Sequence, residues 1–92
     1  MTQEIELLFF TAVWCHACPY AKAMLQQVIE INPVISYRLI DVDEDRDAAG
    51  RYGIIQSGRT IVPAILRADT GEVVFGIEDL ETRLLAMLEA AL

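Results

Sequence analysis

The chain has 92 residues, of which 54% are hydrophobic, and its formal net charge is −7. We expect one domain over residues 1–92, because a chain of this length buries roughly 60–65% of its unfolded surface in one core. The acidic balance and the lack of a Lys/Arg block argue against nucleic acid or an anionic membrane as partners. No run approaches the ~20 apolar residues of a membrane span.

The compartment is predicted from the first residues and from the cysteine count. Glu4 and Glu6 lie where a signal peptide would have a basic segment, so we expect a cytoplasmic protein. In such a reducing compartment, a lone pair of cysteines is more typical of catalysis or metal binding than of a structural disulfide.

The first half of the chain predicts a β-α-β unit with parallel strands. The apolar run in residues 5–11 is typical of a central strand that is buried on both faces. A helix is predicted from about His16 to Ile31, with Pro19 in the first turn, where its missing N–H is tolerated. Residues 34–42 form the second strand. The apolar stripe of the helix consists of Ala21, Met24, Leu25, Val28 and Ile29.

The acidic segment 43–47 is interpreted as a solvated loop, with metal binding by its carboxylates as the alternative. Asp45 or Asp47 is expected to cap a short helix that ends at Gly53. Residues 54–60 are predicted to be an irregular connector.

The last third predicts a β-hairpin followed by a helix. The strands cover residues 63–68 and 73–75, and Gly76 ends the second one. Acidic residues at 78, 79 and 81 are expected in the first turn of the last helix, as the helix dipole favours. The order β-α-β-α-β-β-α predicts an α/β fold, a four-stranded mixed sheet with three helices on its two faces. The apolar face of the last helix consists of Leu80, Leu84, Leu85, Met87, Leu88 and Leu92.

The only two cysteines lie in the segment Trp14-Cys15-His16-Ala17-Cys18, between the first strand and the first helix. At this spacing both sulfurs lie close enough to form a short-loop disulfide or to bind one metal ion. Cys15 is expected at the helix N-terminus, where free N–H groups and the helix dipole stabilise a thiolate. A strand, a C-x-x-C and a helix in a small chain are typical of a thioredoxin-like redox site.

The chain resembles the thioredoxin superfamily over nearly its whole length. Three features carry the resemblance: the Trp-Cys-x-x-Cys segment, Val62-Pro63 at the start of the third strand, and Gly76 before the last helix. The length is closer to that of glutaredoxins, whereas Trp14 is more similar to thioredoxins. The resemblance implies a thioredoxin-like fold and a thiol–disulfide oxidoreductase. Such an enzyme reduces or exchanges protein disulfides and receives electrons from a thioredoxin reductase or from glutathione.

The resemblance also implies roles for the two cysteines and for the proline segment. Cys15 would be the exposed nucleophile, and Cys18, one turn inside the helix, would resolve the mixed disulfide. The bond between Val62 and Pro63 would be cis and would face the cysteines. The N–H and C=O of Val62 would then pair with the substrate chain like an added strand.

Three further residues are candidates for the substrate-binding site, each with a simpler alternative. Trp14 would contact substrates, or would only pack locally. A cationic His16 would favour the Cys15 thiolate and make the disulfide more oxidising, or would be a solvated side chain without effect. Gly76 would let a substrate approach closely, or would be an ordinary turn glycine.

The sequence departs from thioredoxins at two places. Thioredoxins have a buried acid six residues before the first cysteine, which serves in proton transfer to the second, and here that residue is Phe9. The dipeptide between the cysteines is His16-Ala17 instead of Gly-Pro. These departures leave the redox class intact, and the missing acid at Phe9 predicts slower resolution by Cys18 near neutral pH than in a thioredoxin.

Other interpretations of the cysteine pair remain open. A glutaredoxin-like enzyme would use glutathione, for which Arg59 is a possible ligand, whereas Glu78 and Asp79 would repel the carboxylates of glutathione. The pair could also be inert in a binding module, or Cys15 could hold an iron–sulfur cluster shared by a dimer. Zinc is not expected, because it takes four ligands. We expect a monomer without a resident cofactor or metal.

Overall fold

A computed structural model describes residues 4–89 of the chain. The main sheet is mixed and has four strands, and three helices cover it, as predicted. Within residues 4–89, no helix is long and apolar enough to cross a membrane. The elements follow one another as β1 (Ile5–Thr11), α1 (Cys18–Ile31), β2 (Ile35–Asp41), α2 (Arg46–Arg51), β3 (Ile55–Gln56), β4 (Arg59–Thr60), β5 (Ala64–Arg67), β6 (Val73–Phe75) and α3 (Leu80–Glu89).

Strand β1 lies inside the sheet, between parallel β2 and antiparallel β5, in the order β2-β1-β5-β6. Its side chains alternate between two hydrophobic clusters. Leu7 and Phe9 point to the cluster that contains residues of α1 and α3. Leu8 and Phe10 point to the cluster that contains residues of α2. Because all four side chains are buried, the prediction of a strand covered on both faces is confirmed.

Helix α1 begins at Cys18, two residues later than predicted, and its N-cap is Ala17. A proline is best tolerated in the first turn, and the helix starts immediately before Pro19. Cys15 therefore precedes the helix, and Cys18 is its first residue instead of lying one turn inside. The apolar stripe is confirmed: Ala21, Leu25 and Val28 are buried, and Met24 and Ile29 pack against them partly exposed.

Helix α2 is capped at both ends by the residues that its sequence indicates. The Asp45 carboxylate accepts a hydrogen bond from the N–H of Ala48 at 3.0 Å, which satisfies one donor of the first turn. At the other end Gly53 has a φ of +76°. The N–H of Ile54 then reaches back to the carbonyl of Ala49 at 2.8 Å, the Schellman pattern that ends a helix.

The segment predicted as a connector contains a second, two-stranded sheet, formed by antiparallel β3 and β4. Ser57 and Gly58 join these strands with φ values of +53° and +75°. Positive φ at both central residues is the type I′ geometry, which matches the twist of a hairpin. Strands of two residues leave no alternating pattern, and this is why the sequence does not reveal them.

Helix α3 packs on the same face of the sheet as α1. Leu80, Leu84 and Leu88 are buried as predicted. Leu85 is 40% exposed, so its assignment to the apolar face is wrong. It follows Leu84 by one residue, which rotates it away from the buried side of the helix. Leu92 lies outside the described residues.

Arg67 at the end of β5 is a buried cation in an otherwise apolar strand. Its guanidinium donates two hydrogen bonds to the carboxylate of Asp69, at 2.6 and 3.0 Å, and a third to the carbonyl of Met87 at 2.9 Å. This hydrogen bond from Arg67 holds the pKa of Asp69 below its usual value. The cluster therefore ties the last turn of α3 to the β5–β6 hairpin.

We expect Asp69→Asn to lower the melting temperature at neutral pH, because the carboxylate is lost from a buried guanidinium. A lowered pKa in the folded state stabilises the protein above the unfolded pKa, and this stabilisation is lost as pH falls through the folded value. The difference between wild type and variant should therefore shrink below about pH 4. Thermal unfolding followed by circular dichroism measures this difference in melting temperature, with Glu30→Gln as the matched control. A difference that stays constant into acid would contradict the prediction.

Candidate redox site

Cys15 and Cys18 form a disulfide, and their Cα atoms are 5.4 Å apart. The two residues differ in exposure. Cys18 is 3% exposed and belongs to the cluster under α1, whereas Cys15 is half-buried at the surface. A reagent in solution therefore reaches Cys15 first.

The cysteine pair lies at the carboxyl ends of β1 and β2. The N–H of Cys15 donates to the carbonyl of Ala12 at 3.1 Å, which closes a turn directly after β1. The N–H of Val42 donates to the carbonyl of Thr11 at 2.9 Å and extends the parallel pairing to the same edge. The buried sheet thus fixes the position of the loop that contains Cys15.

Trp14 is 51% exposed beside Cys15, and a hydrogen bond holds its indole. The indole N–H donates to the carboxylate of Asp43 at 2.8 Å. Asp41 in turn accepts a hydrogen bond from the N–H of Asp43 at 2.8 Å and shapes this turn. The indole–carboxylate contact is not evident from the sequence, because it depends on the parallel pairing of Thr11 with Asp41, which brings these two loops together.

The bond between Val62 and Pro63 is cis, as the resemblance implied. Val62 and Cys15 both contact the two core clusters, and Pro63 is buried. In the part of the chain that the structure describes, neither the N–H nor the C=O of Val62 has a backbone partner. The main chain of this residue is thus free to pair with another strand.

Gly76 is tied to the proline segment, because its N–H donates to the carbonyl of Pro63 at 2.9 Å. Its φ is +74°, a conformation that favours glycine in this turn. A Cβ built on Gly76 would meet nothing within 4 Å, so the space beside it is open. Gly76 therefore has the backbone conformation of a turn glycine.

An open groove of about 330 Å³ runs beside both cysteines. Phe9 and Leu39 form its apolar wall, and Lys22 also lines it. Phe9 is 1% exposed and is part of the core, so an apolar ring occupies the position where thioredoxins have an acid. The sequence analysis did not single out Lys22, although it lies one helical turn after Cys18.

The remaining predicted residue, His16, is exposed in the turn between the two cysteines. Within residues 4–89, no cluster of three or more His, Cys, Asp or Glu side chains has the arrangement of a metal site. The acidic segment instead supplies the cap of α2 and the partner of Trp14.

Comparisons with known proteins match this fold and this site. A family model described as thioredoxin matches residues 1–81. Thioredoxin from Bacillus subtilis (strain 168) is 31% identical over 74 residues, which are 79% of this chain and 66% of that protein. The match thus covers slightly less than two thirds of the length of this relative.

Solved thioredoxin structures have the same fold. A mutant thioredoxin from Halobacterium salinarum NRC-1 is 27% identical, has a TM-score of 0.74, and is matched over 97% of this chain and 75% of that chain. Oxidised thioredoxin O2 from Arabidopsis thaliana is 20% identical, with a TM-score of 0.74 over 96% of this chain and 75% of that chain. Because the family model covers most of the chain, including its Trp-Cys-x-x-Cys segment, this chain belongs to the thioredoxin family.

Proposed function

We propose that this protein is a thiol–disulfide oxidoreductase that reduces protein disulfides by cycling Cys15 and Cys18 between dithiol and disulfide. The observation that carries the proposal is their disulfide, in which one residue is half-buried and the other is buried. Membership of the thioredoxin family supports the same chemistry, and so does the main chain of Val62, which has no backbone partner among the described residues.

The reaction begins with the reduced protein. The Cys15 thiolate attacks one sulfur of the substrate disulfide, and the other substrate sulfur leaves as a thiolate and takes up a proton. The Cys18 thiolate then attacks the sulfur of Cys15 and releases the second substrate thiol. Two electrons pass to the substrate, and the protein is left with the Cys15–Cys18 disulfide.

The substrate chain would lie beside Val62 and pair with its free N–H and C=O, as a strand added to a sheet edge. Pro63 would hold this segment in place, and the open space beside Gly76 would admit the substrate main chain. Trp14 would cover a substrate side chain next to the attacked sulfur. This arrangement recognises the backbone first, so it would accept many protein disulfides.

His16 would set how oxidising the disulfide is. It is exposed and separated from the Cys15 sulfur by one peptide unit, so its cationic form would stabilise the Cys15 thiolate. Stabilising the reduced form raises the reduction potential. The cation would therefore make this protein more oxidising than a variant without it.

The electron donor would be a thioredoxin reductase, in a reducing compartment such as the cytoplasm. Glutathione is the other donor that fits a small protein of this kind. Glu78, Asp79 and Arg83 line the cavity beside Gly76, and the two acidic side chains outnumber the one cation, so the site would on balance repel the carboxylates of glutathione. This local charge favours a protein disulfide over glutathione as the partner of the site.

Substituting either cysteine should separate the two steps. Cys15→Ser should abolish turnover in an insulin-reduction assay, because the thiol that remains, Cys18, is buried and out of reach of a protein disulfide. Cys18→Ser should trap a mixed disulfide between Cys15 and the substrate, which is visible by non-reducing electrophoresis. The matched control is Ala23→Ser on the exposed side of α1.

Other results would point to the alternatives. Unchanged partner binding without any turnover in the wild type would indicate a binding module. A coloured, iron-containing preparation that loses its iron in Cys15→Ser would indicate a cluster carrier.

The reduction potential, measured in glutathione buffers, tests the direction of electron flow. A value near that of thioredoxin, about −270 mV, would support a reductase, and a value above about −200 mV would support an oxidising or isomerising role. We expect His16→Asn to lower the reduction potential by roughly 10–30 mV, because asparagine cannot carry the positive charge that would stabilise the Cys15 thiolate. Equal reduction potentials in wild type and His16→Asn would contradict the role of His16.

The contact between Trp14 and Asp43 predicts a positioning role for this carboxylate. We expect Asp43→Ala to lower kcat/KM for a protein disulfide by about fivefold, which corresponds to one hydrogen bond of ~1 kcal/mol. The reduction potential should not change, because the cysteines keep their surroundings. Asp43→Asn keeps an acceptor and should remain close to wild type. Equal losses in both variants would show that the indole contact does not position Trp14.

A further inference from the structure

The groove beside the cysteine pair is an apolar environment for the Cys18 thiol. Cys18 is 3% exposed, and the groove is its route to water. Phe9 from β1 and Leu39 from β2, which pair with each other in the parallel register, form an apolar wall. Such surroundings disfavour a thiolate. Yet Cys18 must lose its proton before it can attack the mixed disulfide.

In the part of the chain that the structure describes, Lys22 is the one charged side chain among the residues that line this groove. It follows Cys18 by four residues on α1, so both side chains lie on the same helical face, with Cβ atoms about 5–6 Å apart. Lys22 itself is exposed, so its ammonium keeps its contact with water. The chain has no other lysine.

We propose that Lys22 is a positioning residue for the resolving step, in which its ammonium stabilises the Cys18 thiolate at the mouth of the apolar groove. The inference rests on the proposed function, because it concerns the second step of that reaction. The cation favours the thiolate in a site where Phe9 stands at the position of the buried acid of thioredoxins, and it does not take over the proton transfer that this acid serves.

The other groups around Cys18 leave this role to Lys22. The remaining polar groups that line the groove are the Thr11 hydroxyl on β1 and the Cys15 sulfur. His16 lies in the preceding turn and is exposed. Helix α3 packs on the same cluster with apolar side chains, such as Leu84, and β5 contributes Ile65.

The step balances within the proposed reaction. The Cys18 thiol releases its proton to water in the groove, and the thiolate attacks the sulfur of Cys15. The bond between Cys15 and the substrate sulfur breaks, and its electron pair leaves with the substrate thiolate, which is then protonated. Lys22 neither gains nor loses a proton, and its charge favours the thiolate before the attack.

The test is a single-turnover reaction of the reduced full chain with 5,5′-dithiobis(2-nitrobenzoic acid), followed through the coloured thiolate that it releases. Attack by Cys15 releases the first equivalent in a phase that depends on reagent concentration. Attack by Cys18 releases the second in a phase that does not. The rate of the second phase is measured from acidic to alkaline pH for wild type, Lys22→Met and Lys22→Arg.

The rate of the second phase rises with pH as Cys18 loses its proton. We expect Lys22→Met to move the midpoint of this rise to higher pH and to slow the second phase about threefold at neutral pH. The factor is modest because a tenfold loss of thiolate is partly offset by the greater nucleophilicity of the more basic thiol. Lys22→Arg keeps the charge and should stay close to wild type. Arg46→Met removes one exposed cation from α2, outside the groove, and should leave both phases unchanged.

Three outcomes separate the inference from the proposed function. An unchanged midpoint and rate in Lys22→Met would overturn the role of Lys22, while two phases in the wild type would leave the proposed function intact. A slowing of equal size in Arg46→Met would also overturn it, because net charge would then explain the effect. A wild type that releases only one equivalent would overturn the proposed function itself.

Discussion

The structure depends on the burial of β1 on both faces. Its alternate side chains belong to two separate hydrophobic clusters. The neighbouring strands β2 and β5 also contribute to both clusters, but β1 lies between them and supplies more of the buried side chains. The redox loop follows it within a few residues, and the parallel pairing with β2 brings Asp43 to the same edge. A change that loosens β1 would therefore disturb the core and the cysteine pair together.

Much of this arrangement could be predicted because it is local in sequence. The apolar run of β1, the stripe of α1, and the Asp45 and Gly53 caps of α2 are each specified by neighbouring residues. Helix α1 starts two residues later than predicted, because Ala17 has no side-chain acceptor that would mark the N-cap in the sequence. Leu85 is exposed although it is apolar, because residue type alone does not determine which side of a short helix faces the core.

The features that the sequence did not reveal join distant segments. The indole of Trp14 and the carboxylate of Asp43 are 29 residues apart, and only the register of β1 and β2 explains why they meet. Arg67 can be buried because Asp69 and the end of α3 together accept the hydrogen bonds of its guanidinium. The residue pattern of β5 alone does not indicate these partners. In the sequence Lys22 is an ordinary solvated residue of a helix, and only the structure shows that it lines the groove.

The anchored indole gives this protein a built-in optical signal. Trp14 is the only tryptophan of the chain, and it adjoins Cys15 in sequence. A disulfide accepts an electron from an excited indole and quenches its fluorescence, whereas a dithiol quenches it much less. The tryptophan emission of the unlabelled protein thus comes wholly from its redox site, and its intensity would report which fraction of the molecules is oxidised.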